Sequence, residues 1–199
     1  MLIMKKKLIT ITAIASVVIA ALVACNNETK TAEPVAATVI SKDSLVKRGE
    51  YLVNTIGCDD CHSPKIMGPH GPMPDMEHRF AGHMPTPPLG KPDVSVMKNG
   101  WVLLSMDLTA ATGPWGTSYA ANISGDETGI GNWSEAQFIK CMREGKLKGM
   151  DNSRPLLPPM PWQNFAKLTD TDLKAIFAFL KSTKPINNVV PGPKAPNEL

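Results

Sequence analysis

The sequence predicts an all-α domain, because its clearest patterns are three stretches with apolar residues at helical spacing. Two of these stretches open with a capping pattern, in which a Ser or Thr is followed three residues later by Gln or Asp. Between the first and second stretches, residues 63–133 are rich in Gly and Pro and carry only a weak strand candidate at 102–108. Long loops in compact domains usually serve a function, so we expect this one to wrap a bound group.

The three predicted helices begin near Ser41, at Ser134 and at Thr169. Each has an apolar face that should pack into a common core. The face of the first helix consists of Leu45, Gly49, Leu52 and Ile56. The face of the second consists of Phe138, Cys141 and Met142, with Cys141 read as a small buried hydrophobe. The face of the third consists of Leu173, Ile176, Phe177 and Leu180.

The N-terminus has the form of a bacterial lipoprotein signal peptide. Lys5–Lys7 supply the charged region, and the apolar core that follows is shorter than the roughly 20 residues that a bilayer-spanning helix needs. Leu22–Cys25 matches a lipobox, so we expect cleavage just before Cys25 and acylation of that cysteine. The predicted parts are then a signal peptide at 1–24, a lipidated flexible tether at 25–40, one folded domain at 41–185 and a Pro-rich tail at 186–199.

The net charge argues against nucleic acid as a partner. The whole chain carries 21 basic and 18 acidic residues, and Lys5–Lys7 account for the entire excess. A mature chain that starts at Cys25 is therefore about neutral, whereas nucleic-acid binding rests on a basic surface. We expect the partners to be proteins, together with the membrane that holds the lipid anchor.

Cys58, Cys61 and His62 form a C-x-x-C-H motif, the spacing at which haem is attached covalently. Two thiols three positions apart reach the two vinyl groups on one edge of a porphyrin, and the adjacent imidazole can ligate the iron. A zinc site would need a second Cys/His pair, and a thioredoxin-like redox motif would need an alternating strand–helix pattern. The sequence has neither, so it predicts one covalent haem c, in agreement with export to the cell envelope.

The second iron position is predicted to be filled by Met160, which prolines flank in the segment Pro158–Pro161. These prolines restrict the unfolded chain, so a thioether can be presented at a small entropic cost. The alternatives are that Met160 only fills a gap in the core, or that a loop histidine ligates the iron. The histidines concerned are His70, His78 and His83. Arg154 and Trp162 flank the methionine and are candidates for hydrogen bonds to the haem propionates, or simply for packing and solvation.

A helix that ends in C-x-x-C-H, a Pro-flanked Met and an amphipathic C-terminal helix resemble a class I c-type cytochrome. Four segments resemble, more narrowly, the bacterial membrane-anchored mono-haem cytochromes c, of which some relatives are subunits of dehydrogenases. The segments are Gly113–Gly116, Ala121–Ser124, Thr128–Trp133 and Pro158–Trp162. The resemblance covers about Leu45 to Lys184 and implies a cytochrome c-like helical domain with His62 and Met160 as iron ligands. The long middle loop departs from small cytochromes, so their partner surfaces cannot be carried over.

An iron with both axial positions filled exchanges one electron with little rearrangement and does not readily bind oxygen or peroxide. The sequence therefore predicts an electron carrier rather than an enzyme, lipid-anchored on the periplasmic side of a membrane and working with redox partner proteins. Two alternatives stay open. The chain could be a tightly bound cytochrome subunit of a membrane dehydrogenase, or a haem enzyme or gas sensor with a labile distal ligand.

Overall fold

The computed structural model describes residues 41–199. The predicted signal peptide, the lipidation site Cys25 and the tether all lie outside these residues. The helices are α1 (Lys42–Thr55), α2 (Cys58–His62), α3 (Glu135–Glu144), α4 (Trp162–Phe165) and α5 (Asp170–Ser182). The strands are β1 (Lys65–Gly68), β2 (Gly71–Pro74), β3 (Leu103–Leu104), β4 (Ala110–Gly113) and β5 (Gly116–Tyr119). Short 3-10 helices span Val94–Asn99, Leu147–Gly149 and Pro196–Glu198.

The three predicted helices are present, but the first does not run into the C-x-x-C-H motif: it ends at Thr55, Gly57 takes a φ of +78°, and the separate helix α2 carries the motif. The N-terminal ends of the three helices follow the local signals. Ser41 caps α1 by accepting a hydrogen bond from the Ser44 backbone N–H. At α3, Ser134 and Gln137 form the complete capping box. Thr169 caps α5 by accepting a hydrogen bond from the backbone N–H of Asp172. These bonds satisfy backbone donors that the first turn of a helix leaves without partners.

The prediction of an all-α fold is wrong. Helices make up 36% and strands 13% of residues 41–199, and two small antiparallel sheets place this part of the chain in a mixed α/β class. Both sheets lie within residues 63–133, and their β1–β2 and β4–β5 hairpins close through glycines with positive φ, Gly71 and Gly116. The strands have at most four residues and include Gly and Pro, so no alternation of apolar and polar residues marks them.

The core forms where α1 packs along α5. The two helices approach closely at Gly49, where an added Cβ would lie 1.9 Å from the backbone oxygen of Ala175. Helix α3 joins them through Phe138, whose ring centre is 5.3 Å from that of Phe177. The buried apolar residues of this core are Leu52, Val53, Phe80, Ile130, Phe138, Met142, Leu173, Ala175, Ile176, Phe179 and Leu180.

The three-stranded sheet has the order β3–β4–β5, and the C-terminal segment pairs with β5 at one edge of the sheet. Thr117 in β5 and Lys194 exchange two backbone hydrogen bonds of 2.9 Å each. The side chain of Asn188, which is buried, donates to the backbone oxygens of Ala81 and His83. Within residues 41–199, no helix is both long and apolar enough to cross a membrane.

Candidate functional site

Helix α2 carries both thiols and the histidine of the C-x-x-C-H motif. Cys58 and Cys61 stand three positions apart on it, a spacing that places two side chains on the same face of a helix. His62 is the last helical residue. Cys58 packs against the hydrophobic core, and both thiols are free rather than joined in a disulfide. One short helix therefore presents two thiols together, with the imidazole directly after them.

The thiols of α2 are held in their protonated form. Burial, together with the charges of Asp59 and Asp60, raises the pKa of Cys58 to about 12. Burial and Asp60 also raise the pKa of Cys61. A C-x-x-C pair that exchanges disulfides works through a thiolate of lowered pKa. The electrostatics of α2 are opposite to that requirement, so they disfavour a thioredoxin-like role.

The His62 ring is oriented by a backbone carbonyl. Its Nδ1 lies 2.7 Å from the oxygen of Ala121, and because a carbonyl oxygen can only accept, Nδ1 must carry the proton. The neutral ring then has its free electron pair on Nε2, the arrangement found in metal-ligating histidines. Desolvation lowers the pKa of His62 and so favours the same neutral form. His62 is thus prepared to ligate an iron through Nε2, which fits a covalently attached haem.

Two short contacts hold the segment that contains Ala121 against α2. The N–H of Gly82 donates to the His62 backbone oxygen at 2.8 Å, and the N–H of His83 donates to the Ala120 oxygen at 2.9 Å. Gly82 has a φ of +75°, and an added Cβ would lie 2.5 Å from the Ala120 oxygen. Only glycine fits this close approach of two backbones. The Gly82–His83 segment therefore connects α2 to the end of β5.

A half-buried ion pair fixes the other side of α2. Arg79 donates from Nε and Nη2 to the carboxylate of Asp59, with the closest contact at 2.6 Å. Ser63 donates to the same carboxylate at 2.7 Å and accepts from the N–H of Phe80 at 2.9 Å. Although burial acts to raise it, the hydrogen bonds from Arg79 and Ser63 hold the pKa of Asp59 below its ordinary value. This network ties the thiol-bearing helix to the long segment that follows it.

Met160 ends a tight turn that precedes α4. Its N–H donates to the Leu157 oxygen at 3.3 Å across Pro158 and Pro159. The Met160 side chain is half-buried and packs against the same hydrophobic core that Cys58 contacts. The two residues, 102 positions apart in the chain, therefore border one apolar region.

The other candidate residues have partners of their own. Arg154 is exposed and donates to the backbone oxygen of its neighbour Pro155 at 2.9 Å. Trp162 begins α4 and packs over Gly145, the left-handed residue that ends α3. The proposed propionate contacts of Arg154 and Trp162 stay predictions.

The three loop histidines differ in exposure. His70 is exposed, and His78 bonds to Asp75 at 2.7 Å. His83 is buried, with Nδ1 2.7 Å from the Thr109 hydroxyl and its ring stacked on Tyr119. His83 thus serves the packing between the Gly82–His83 segment and the sheet.

Sequence reasoning missed the groups that orient the motif. The carbonyl of Ala121 and the guanidinium of Arg79 both come from residues 63–133, which show no regular pattern. A backbone carbonyl has no signature in a sequence. Arg79 stands 20 positions from Asp59, far beyond the three- or four-residue spacing of a helix pair.

No protein-family model matches the chain. Over 140 residues it is 36% identical to the cytochrome c subunit of gluconate 2-dehydrogenase from Pantoea cypripedii, covering 70% of this chain and 23% of the relative. Over 146 residues it is 30% identical to the cytochrome c subunit of alcohol dehydrogenase (quinone) from Gluconobacter oxydans, covering 72% of this chain and 23% of the relative. A match to the fructose dehydrogenase cytochrome subunit from Gluconobacter japonicus is 36% identical over 87 residues, which are 43% of this chain and 17% of the relative. The chain thus spans less than a quarter of each of these relatives.

These relatives support a c-type cytochrome, and they imply haem c as its cofactor. Cytochrome subunits of dehydrogenases fit electron transfer, and they are electron carriers rather than the catalytic subunits. The two thiols and the imidazole of α2 have the chemistry that such a cofactor requires.

Proposed function

We propose that the protein carries single electrons through one haem c, attached covalently to Cys58 and Cys61 and ligated by His62 and Met160. The observation that carries this proposal is the hydrogen bond from Nδ1 of His62 to the Ala121 oxygen, which leaves Nε2 free beside two thiols. The match to cytochrome c subunits supports it independently.

The bound haem would supply a one-electron Fe(III)/Fe(II) couple. The thiols hold it covalently, and the Ala121 carbonyl keeps the His62 ring in one tautomer and orientation. The thioether of Met160 favours the ferrous state and keeps small ligands from the iron. The apolar side chains around Cys58 and Met160 exclude water, which limits rearrangement when the charge changes.

Covalent attachment is tested by extraction. Haem should stay with the protein in acidified organic solvent, because thioether bonds survive conditions that remove a ligated haem. Haem found in the organic phase would contradict the attachment through Cys58 and Cys61.

The role of Met160 is tested by two substitutions. Met160→Ala should lose the weak far-red absorption band of an Fe–S(Met) bond and should bind carbon monoxide in the reduced state. Met160→His should keep a six-coordinate, low-spin iron at a lower potential, since imidazole favours the ferric form more than a thioether does. Met150→Ala is the matched control, because Met150 stands ten positions earlier in the chain and is 49% exposed. A Met160→Ala variant with the sulfur band and potential of the wild type would assign the iron to another residue.

The names of the relatives favour one alternative, a cytochrome subunit bound within a membrane dehydrogenase. Co-purification of the native protein with a larger flavin or quinone subunit would establish that arrangement, whereas isolation as a lone chain would favour a free carrier. Ready carbon monoxide binding to the reduced wild type, as tight as that of Met160→Ala, would favour the haem enzyme or gas sensor, which needs a labile distal ligand.

We also propose that the mature protein begins at a lipidated Cys25 and sits on the periplasmic side of a membrane. The support is the charged and apolar segments of residues 1–24 and the lipobox at Leu22–Cys25. Labelled palmitate should enter the wild type but not Cys25→Ser, and the variant should become soluble with its haem retained. Equal labelling of both proteins would exclude the lipid anchor and leave the electron-transfer proposal untouched.

A further inference from the structure

β5 and the residues just after it contact the chain segments of both proposed iron ligands. The Ala121 oxygen, two residues beyond the end of β5, accepts from His62 at 2.7 Å. The hydroxyl of Ser118, within β5, donates to the Pro158 oxygen at 2.6 Å. Pro158 stands two residues before Met160. The two contacts are three residues apart in the chain, one within β5 and one just after it.

The direction of the Ser118 bond follows from its neighbours. The indole N–H of Trp115 lies 3.2 Å from the Ser118 oxygen and can only donate, so the hydroxyl accepts there. Its single proton is then available for a carbonyl. The Pro158 oxygen is 2.6 Å away and the Ala111 oxygen 3.4 Å away, so Pro158 receives it. Ser118 is 8% exposed, so little water competes for this bond.

The Met160 turn has few other attachments. Pro158 and Pro159 have no backbone N–H to donate. Among residues 41–199, residues 157–161 make two hydrogen bonds to strands or helices: Pro161 accepts from the Asn164 N–H in the first turn of the adjoining α4, and Pro158 accepts from Ser118 in the sheet. Met160 otherwise relies on apolar packing, which has little directionality.

The strand itself is held on both edges. On one side β5 pairs with β4, where Ser118 is opposite Ala111. On the other side Thr117 exchanges backbone hydrogen bonds with Lys194. A hydroxyl on a strand fixed in this way can hold the Met160 turn in one position.

We propose that Ser118 is a positioning residue, which holds the Pro158 carbonyl so that the Met160 thioether stays on the haem iron. The inference rests on the proposed ligation by Met160 and adds to it the means by which the ligand is kept in place. Loss of the Ser118 hydroxyl frees the turn, and the fraction of protein with a detached thioether rises. Carbon monoxide binds that fraction, so its apparent affinity reports the change.

The experiment compares reduced and oxidised Ser118→Ala with the wild type. The far-red sulfur band should weaken, and the apparent affinity of the ferrous protein for carbon monoxide should rise about five- to tenfold, the effect of one lost hydrogen bond. Thr112→Val is the matched control, because it removes a buried hydroxyl bond of 2.8 Å to Thr117 in the same sheet without touching the Met160 turn. The control should keep the band and the carbon monoxide affinity of the wild type.

Rescue separates positioning from general destabilisation. Ser118→Thr keeps a hydroxyl on the strand and should restore both signals. If Ser118→Ala does not retain haem, Trp115→Phe is measured instead: it keeps an aromatic ring, removes the indole donor and should shift both signals in the same direction by a smaller factor.

The outcomes distinguish the two proposals. If Met160→Ala keeps the sulfur band, the ligand assignment is wrong and the role of Ser118 falls with it. If Met160→Ala loses the band while Ser118→Ala matches the wild type in band and carbon monoxide affinity, only the positioning role is overturned. A change in Thr112→Val equal to that in Ser118→Ala also overturns it, since the effect would then be one of stability alone.

Discussion

The helical part of the protein and the segment 63–133 are stabilised by different interactions. Nine of the eleven residues in the buried apolar core come from outside the segment, and Phe80 and Ile130 are its two members. In contrast, eight of the nine buried polar residues within 41–199 belong to it: Ser63, His83, Thr109, Thr112, Thr117, Ser118, Asn122 and Ser124. The helices bury apolar surface, whereas the segment is held by hydrogen bonds between groups far apart in the sequence.

Apolar packing and hydrogen bonds act differently on the candidate haem site. Apolar packing brings Cys58 and Met160 to one region but does not fix the direction of a ring or a carbonyl. Hydrogen bonds do so, because their strength depends on angle. The groups that orient His62 and the Met160 turn, the Ala121 carbonyl and the Ser118 hydroxyl, both come from the segment.

The largest expected effect comes from loss of the covalent haem attachment. Replacing Cys58 and Cys61 by Ala should abolish haem attachment and folding, since a bound group that fills the core stabilises the native state by mass action. Far-UV circular dichroism and haem absorption measure the two losses. Cys141→Ala is the control: Cys141 is buried but lies on α3, so the variant should keep its haem. A folded double variant would show that the protein part is stable by itself.

Gly49→Ala probes the helical part. The new methyl group would lie 1.9 Å from the Ala175 oxygen, so α1 and α5 must separate, and we expect a loss of about 3 kcal/mol in the free energy of unfolding. Urea denaturation measures it. Gly90→Ala is the control, because no atom lies within 4 Å of an added Cβ there. Equal stability of the two variants would refute the close helix packing.

Asn122→Ala probes the segment. The buried amide donates to the Ile186 oxygen at 2.8 Å and to the Thr128 hydroxyl at 3.0 Å, and it accepts from the Ser124 N–H at 2.9 Å. The variant leaves several of these groups without partners, so we expect a loss of about 2–3 kcal/mol by urea denaturation. A loss below about 0.5 kcal/mol would mean that hydrogen bonds do not hold this segment.

Arg79→Met probes the junction between the two parts. At neutral pH we expect a loss of about 2 kcal/mol, since the half-buried Asp59 carboxylate loses its cation. The pKa of Asp59 is below its ordinary 3.8 in the folded protein, so its stabilising effect is present above that pH and is lost as the pH falls through the folded pKa. Urea denaturation as a function of pH should therefore show that the free energy of unfolding falls less steeply on the acid side in the variant than in the wild type.

The matched control for this ion pair is Arg48→Met. Arg48 bonds Asp172 with a side chain that is 50% exposed, so the variant should lose no more than about 0.5 kcal/mol and should keep the acid dependence of the wild type. Equal losses in the two variants would place the Arg79–Asp59 pair among ordinary surface pairs.

The helices could be predicted from the sequence because their signals are local. Ser134 and Gln137 are three residues apart, and the apolar face from Phe138 to Met142 repeats within one turn. The hairpins could not be predicted from the sequence, because β4 and β5 are short and because Thr112 and Thr117 are buried although they are polar. Their burial is tolerated because each hydroxyl is the other's partner, which only the paired strands reveal.

The sequence by itself determined the helices, the thiol pair with its histidine, and hence the haem chemistry. Each of these depends on residues within a few positions of one another, where the geometry of the chain is fixed by helix spacing. Only the tertiary structure decided that Ala121 orients His62, that Arg79 holds Asp59 and that β5 contacts the Met160 turn. Those contacts join residues that are 20 to 59 positions apart, and such pairings exist only once the chain has closed the loops between them.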